Sequence, residues 1–249
     1  MNKKHVLTLL VLALPAGSAP PPRDAVDAVD AVGQWLTDRV MKAAERDAIH
    51  GAAQELEEGV YRLIPLAELD APEAVKQHFR EQIQRSRAGV IPVERGSIPS
   101  EQRLLWSLPR ARRSDAVLRQ RLPNPPSTLQ GTLLGAAELI GMEPTGAISG
   151  VTSSGLSRFY RVARIGIVEF NEENFRVPGG VIEAFVEAQN TTIHGTPGQI
   201  EMTADDQGRS QAVLSWAGND KVYTLTATGE GDVHYKARVL HGIAGAIKD

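Results

Sequence analysis

The sequence predicts an α+β protein: a helical N-terminal half, then an antiparallel β-meander in the C-terminal half covered by a terminal helix. Two observations carry this. Between residues 24 and 89 apolar side chains recur at steps of three and four, the period of helices buried along one side. In the last third of the chain the period shortens to alternation, with turn residues at each corner. A third observation sets the boundary. The run Pro123-Asn124-Pro125-Pro126 is a hard stop, dividing a helical region with an arginine-rich irregular segment (19–126) from an α+β region with an antiparallel sheet (127–249).

The first element is an export signal. Met1 to His5 is basic, Val6 to Leu14 is apolar, and the small residues Ala16 to Ala19 follow. That is the pattern of a secretory signal peptide over residues 1–18, and the apolar run is too short for a stable membrane span. An uncleaved anchor is the alternative. No later segment is apolar enough to cross a membrane. The chain has no cysteine, which excludes thiol catalysis, cysteine-based zinc sites and lipoprotein acylation. An exported, cysteine-free chain points to a periplasmic or secreted bacterial protein. The sequon Asn190-Thr191-Thr192 carries no weight in that setting.

After Pro20 to Arg23 comes the repeat DAVDAVDAV, Asp24 to Val32. On a helix its aspartates form a slanted ridge near the positive helix end, so it reads as an acid-rich helix entrance and not as a metal site. The apolar stripe Val29, Val32, Leu36, Val40, Ala44, Ala48, Ala52, Leu56, Val60 and Leu63 continues it, with Gly33, Gly51 and Gly59 as weak points. A second helix is expected from Asp70, with Val75, Phe79 and Ile83 inward and Gly89 as its end. Arg103 to Leu108 reads as a short strand, and Asp115 to Leu122 as a short helix. A helix capped by Ser127 is expected to end at Gly141. Ser157 to Phe170 and the alternating run from Gly180 to Gly195 read as strands. Three more follow around the turns at Asp205 and Gly218. Asp232 caps the final helix, whose apolar positions are Val233, Ala237, Leu240, Ala244 and Ile247.

Charge is uneven. Without the signal the net charge falls from −3 to −5, because Lys3 and Lys4 leave. From Arg80 to Arg121 ten arginines face four acids, whereas from Ile165 to Asp206 eight acids face one arginine. Arg103, Arg110, Arg112, Arg113, Arg119 and Arg121 are candidate ligands for an anionic surface, whether lipid headgroups, polysaccharide or an acidic partner. Pairing with the chain's own acidic block, or simple solvation, is the competing reading. Nucleic acid is a poor fit for an exported, net acidic chain without aromatics among its basic residues.

Motifs for catalysis, phosphate or calcium are absent from the sequence, and no cofactor is implied. The histidines form no close ligand pair, so no metal site is expected. Glu183 and Glu187, if on one strand, stand about 13 Å apart, wider than a glycosidase pair of roughly 5–9.5 Å. Glu169, Glu172 and Glu173 in the run EFNEEN could approach a hard cation, but they read first as a solvated turn.

The C-terminal stretch from Thr192 through Leu214-Ser215-Trp216, Tyr223 and Leu225 to the last helix resembles the end units of exported bacterial domains associated with sigma-factor regulators. These are comparable to the half-barrels of lipoprotein carriers. The resemblance covers about 60 residues and implies a curved sheet under a helix, with no site residues to carry over. Such a sheet can enclose an apolar cleft. Trp106, Phe159, Phe185 and Trp216 are candidates to line it, with core packing as the alternative. Three readings of function follow. One is a non-enzymatic envelope protein binding a protein partner or an amphipathic or anionic ligand. Another is a secreted hydrolase with a site assembled from distant carboxylates and histidines. The third is an assembly factor docking through its N-terminal helices.

Overall fold

The structure, a computed structural model, describes residues 31–39, 41–42, 59–108, 117–118, 120–122, 124–149, 152–176 and 181–248. The signal segment, all but the last two residues of the aspartate repeat, and four of the candidate arginines (Arg110, Arg112, Arg113 and Arg119) lie outside the described residues.

The molecule is mostly β, which corrects the expected helical N-terminal half. Among the described residues ten strands form two sheets, and the C-terminal part holds a single α-helix. A helical stretch over 31–39 and 41–42 (α1) opens the described chain. Strand β1 (Val60–Ile64) follows where the helical stripe was expected to continue. The β-branched residues Val60 and Ile64 suit a strand, and β1 pairs in parallel with β6 (Val181–Phe185). Helix α2 (Glu73–Arg87) buries Val75, Phe79 and Ile83 as expected, but it starts after Pro72, which takes the cap position with no side-chain bond, and not at Asp70. Strand β2 (Val90–Pro92) comes next, then helix α3 (Glu101–Ser107).

Helix α3 replaces the strand expected at Arg103 to Leu108. Its cap decides this: Ser100 Oγ accepts a hydrogen bond from the Arg103 backbone N–H at 3.3 Å. The helix expected from Ser127 to Gly141 does not form either. Thr132 Oγ1 donates to the Leu129 carbonyl at 2.8 Å and accepts from Gly135 N–H at 3.2 Å. These local bonds offer the backbone an alternative to the helix. A single 3₁₀ turn, Leu134–Ala136, leads directly into β3 (Glu138–Ser149).

The large sheet runs in the order β2-β8-β9-β10-β5-β4-β3. Its strands are β4 (Thr152–Val162), β5 (Gly166–Asn174), β8 (Thr196–Ala204), β9 (Arg209–Ala217) and β10 (Lys221–Glu230), with β2 and β3 at the ends. The Ser157 to Phe170 run is thus two strands. Arg164 at φ 72° and Gly166 at φ 91° turn the chain between them. The alternating run before Asn190 is also split, because β6 gives way to a 3₁₀ turn over Val186–Ala188. Strand β7 (Thr191–Ile193) then pairs with one end of β8 while β2 pairs with the other. Between them, Asn190 acts as a piece of strand: its Nδ2 donates to the Ile200 carbonyl at 2.9 Å and its Oδ1 accepts from Ile200 N–H at 2.7 Å.

Alternation gives the large sheet two unlike faces. On the inner face, Tyr160, Val168, Phe170, Leu225, Leu214 and Ala212 form the main core. Helix α4 (Val233–Ala246) closes that face with Val233, Leu240, Ile243 and Ala244, and Ile247 follows just after it. Each such side chain contributes roughly 1.5–3 kcal/mol by burial. Asp232 caps α4 as expected, accepting from Tyr235 N–H at 2.6 Å. A second core joins α1, α2 and β6 through Trp35, Phe79 and Phe185; the Phe79 and Phe185 rings stand 5.3 Å apart.

Candidate functional site

The outer face of the large sheet carries the unexplained chemistry. Along β5, Glu169, Asn171 and Glu173 alternate with the inward Val168, Phe170 and Glu172. The pairing register places Ser157 beside Asn171 on one side and Thr224 on the other; Ser215 and Gln199 continue that row. Glu201 lies in the next row, in line with Val213, Thr226 and Glu169. The result is a polar floor crossing five strands.

Two elements bound this floor. At one end the β1–β6 ribbon packs over it through Tyr61 and Ile182, against Phe175, Ala217 and Val222. At the other end α3 is fixed to the sheet. Arg161 reaches both Glu101 of α3 and Glu138 of β3 at 3.0 Å. Leu108, just past α3, stands beside Gly141 and Phe159: a Cβ on Gly141 would meet Leu108 at 3.7 Å and Phe159 at 3.4 Å.

Between these covers the carboxylates have only neutral donors among the described residues. Ser157 Oγ donates to Glu169 at 2.9 Å, Ser154 Oγ to Glu173 at 3.2 Å, and Gln199 Nε2 to Glu201 at 2.6 Å. Asn171 ties the floor together, donating to Ser157 at 2.8 Å and to Thr145 at 3.0 Å. Burial raises all three carboxyls and the hydroxyl or amide donors only partly offset it. Glu169 is raised further by the charge of Glu143 on β3. Glu201 is pushed up to about 7. So "EFNEEN" is not the solvated turn expected from sequence but the body and end of a strand, where alternation sends Glu172 to one face and its two neighbours to the other.

Glu172 has a different task. Its carboxylate accepts from Arg158 at 2.5 Å, from Ser127 N–H and Oγ at 2.8 Å each, and from Lys221 at 3.1 Å. Lys221 also donates to the Pro125 carbonyl at 3.0 Å. The set clamps the proline-rich segment onto the sheet. A cavity of about 10 Å³ lies beside it, lined in part by Asn124, Ser154, Asn174 and Lys221, with room for one water. Glu183 is paired with Arg39 and Arg62, and Glu187 accepts from Leu66 N–H. These carboxylates hold structure. They also sit on different elements, since Glu183 is in β6 and Glu187 in the 3₁₀ turn after it.

The sequence candidates scatter. Trp216 is buried in the main core and stacked on Tyr223 at 5.0 Å, whereas Phe185 belongs to the second core. Phe159 is half-buried on the outer face, and Trp106 projects from α3 with 70% of its surface exposed. The four do not share a cleft. Arg103 is exposed on α3, and Arg121 is half-buried, its carbonyl accepting from Ser153 N–H at 3.0 Å. Between the arginine-rich and acid-rich blocks one ion pair forms among the described residues, Arg95–Asp206 at 3.1 Å. Sequence reasoning passed over Glu201 and the Ser157–Asn171 pair, because their meaning depends on register across strands. The available signal was the alternation of acids with apolar residues in β5.

Among the described residues no cluster of three metal-ligating side chains forms, and no helix is long and apolar enough to cross a membrane. No family model matches the chain, and neither a curated protein nor a solved structure matches it.

Proposed function

We propose that this chain is an exported, non-enzymatic protein of a bacterial cell envelope that binds a protein partner, and that it takes a basic segment of that partner on the outer face of its large sheet. The carrying observation is the set Glu169, Glu173 and Glu201, half-buried and held by neutral donors alone among the described residues. A desolvated carboxylate gains from an incoming cation what its neutral donors do not supply. The face is open, which suits an extended chain better than an enclosed small molecule. Export is supported by the signal-like residues 1–18, and the carrier-like reading by the strand-turn-strand-helix order of β8 to α4.

Calorimetric titration with oligolysine tests this, with oligoglutamate as the control. The expected result is binding that weakens about tenfold from low to physiological salt. It should be lost in the triple variant Glu169→Gln, Glu173→Gln, Glu201→Gln with the fold retained. No binding at low salt, or equal binding by the triple variant, overturns the reading.

One observation favours a second reading, a carboxylate hydrolase. Glu169 is raised by burial and then by the neighbouring Glu143, the relation expected of an acid paired with a second carboxylate. Turnover of aryl glycosides that disappears in Glu169→Gln would select it. The absence of turnover across a panel of such substrates disposes of it.

A further inference from the structure

Helix α3 buries none of its seven residues. Yet it is not loose: the Arg161 bridge to Glu101 and Glu138 holds its first turn, and Leu108 packs beside Gly141 at its end. What this rigid mount presents outward is Trp106, 70% exposed, with Arg103 one turn earlier on the same side and Leu105 half-exposed beside it. The other tryptophans described, Trp35 and Trp216, are buried at 8% and 6% exposure. The acids of this corner, Glu101 and Glu138, share the one charge of Arg161, and Arg103 balances the other, so the described corner is neutral. In sequence the chain then adds Arg110, Arg112 and Arg113 within five residues of Leu108.

An exposed indole beside an exposed cation suits the water–lipid boundary. The ring is apolar enough to enter the headgroup region, and its N–H remains in contact with polar groups. Arginines nearby are drawn to phosphate at that depth. From this arrangement we infer that α3 docks the protein onto an anionic lipid surface, with Trp106 as the inserted side chain and Arg103 as the headgroup contact. A helix this short lies at the surface and spans nothing. The inference goes beyond the partner-binding face, since it uses the opposite side of α3 and the opposite charge.

The test is co-sedimentation of the full chain with mixed phosphatidylglycerol–phosphatidylcholine vesicles, read together with tryptophan emission. Trp106 dominates the solvent-exposed emission, so docking shifts that emission to the blue. Binding should fall about fivefold in Arg103→Gln and about tenfold in Trp106→Ala. Trp106→Phe should keep most of the binding while losing the shift. Pure phosphatidylcholine vesicles should not bind. Three results overturn the proposal: no binding to the anionic vesicles at low salt, undiminished binding by Trp106→Ala, or binding to heparin without binding to vesicles. Oligolysine binding by the same variants keeps the outcome separate from that of the sheet face.

Discussion

Lys236 is the most deeply placed cation described in the fold. Its side chain is fully buried, and its Nζ donates to the Ser210 carbonyl at 2.8 Å, Ser210 Oγ at 2.9 Å and the Gly229 carbonyl at 2.6 Å. All three acceptors are neutral, so burial lowers its pKa to about 8 despite the opposing charge of Glu230. The unfolded chain therefore holds this proton between pH 8 and 10.5 while the folded chain releases it. Stability should rise with pH across that window, by about 2 kcal/mol at most after screening. Below pH 8 both states are protonated and this residue adds no slope. Melting curves of the wild type and Lys236→Met from pH 8 to 10.5 check it: the rise should vanish in the variant. Glu172 is the acid that bridges Arg158 and Lys221. Removing it in Glu172→Ala strands two buried cations, at a cost of about 3–5 kcal/mol and roughly 10 °C in melting temperature. Neither residue was legible as special in the sequence. A lysine at a helical step and a glutamate in an acidic run look alike whether solvated or buried, because their partners lie on other strands.

Among the elements, the hairpins of the large sheet were readable because their turns are local chemistry. Asp205 Oδ1 accepts from Gln207 N–H at 2.9 Å and Arg209 N–H at 3.0 Å, so the turn closes without help from elsewhere. The β4–β5 turn hid inside an apolar run because its tightness depends on a neighbour. Gly166 holds φ 91°, and a Cβ there would run into the Thr228 carbonyl of β10. Both the conformation and the close approach demand glycine. Gly166→Ala is expected to cost about 2–4 kcal/mol, seen as a lower urea midpoint with an unchanged slope. The N-terminal elements were misread for a related reason. Helical periodicity near Val60 cannot register that β6, over a hundred residues later, supplies a parallel partner for β1. Long-range pairing overrides local preference there.

For the whole molecule, these distant partners set the order of assembly. The pairs β5–β10, β9–β10 and β8–β9 share the main core with α4, whereas β1–β6 and β2–β8 bring together segments on either side of the Pro123–Pro126 stretch. Loop closure over such separations slows folding, so the β8-to-α4 unit should gain hydrogen-exchange protection first and β1 and β2 last. Pulse-labelled refolding would show it, and simultaneous protection of all strands would contradict it. The antiparallel sheet and terminal helix were foreseeable because that unit is sequential, and the outer-face site was not because it spans five strands. The borrowed strand at Asn190 has a practical outcome for production. Asn190 begins the sequon Asn190-Thr191-Thr192, and the amide that would receive a glycan is the one bonded to Ile200. In a eukaryotic secretory host, oligosaccharide attached before folding would occupy the gap between β2 and β7. The sheet would lose its seam there, so bacterial expression is the route to native material.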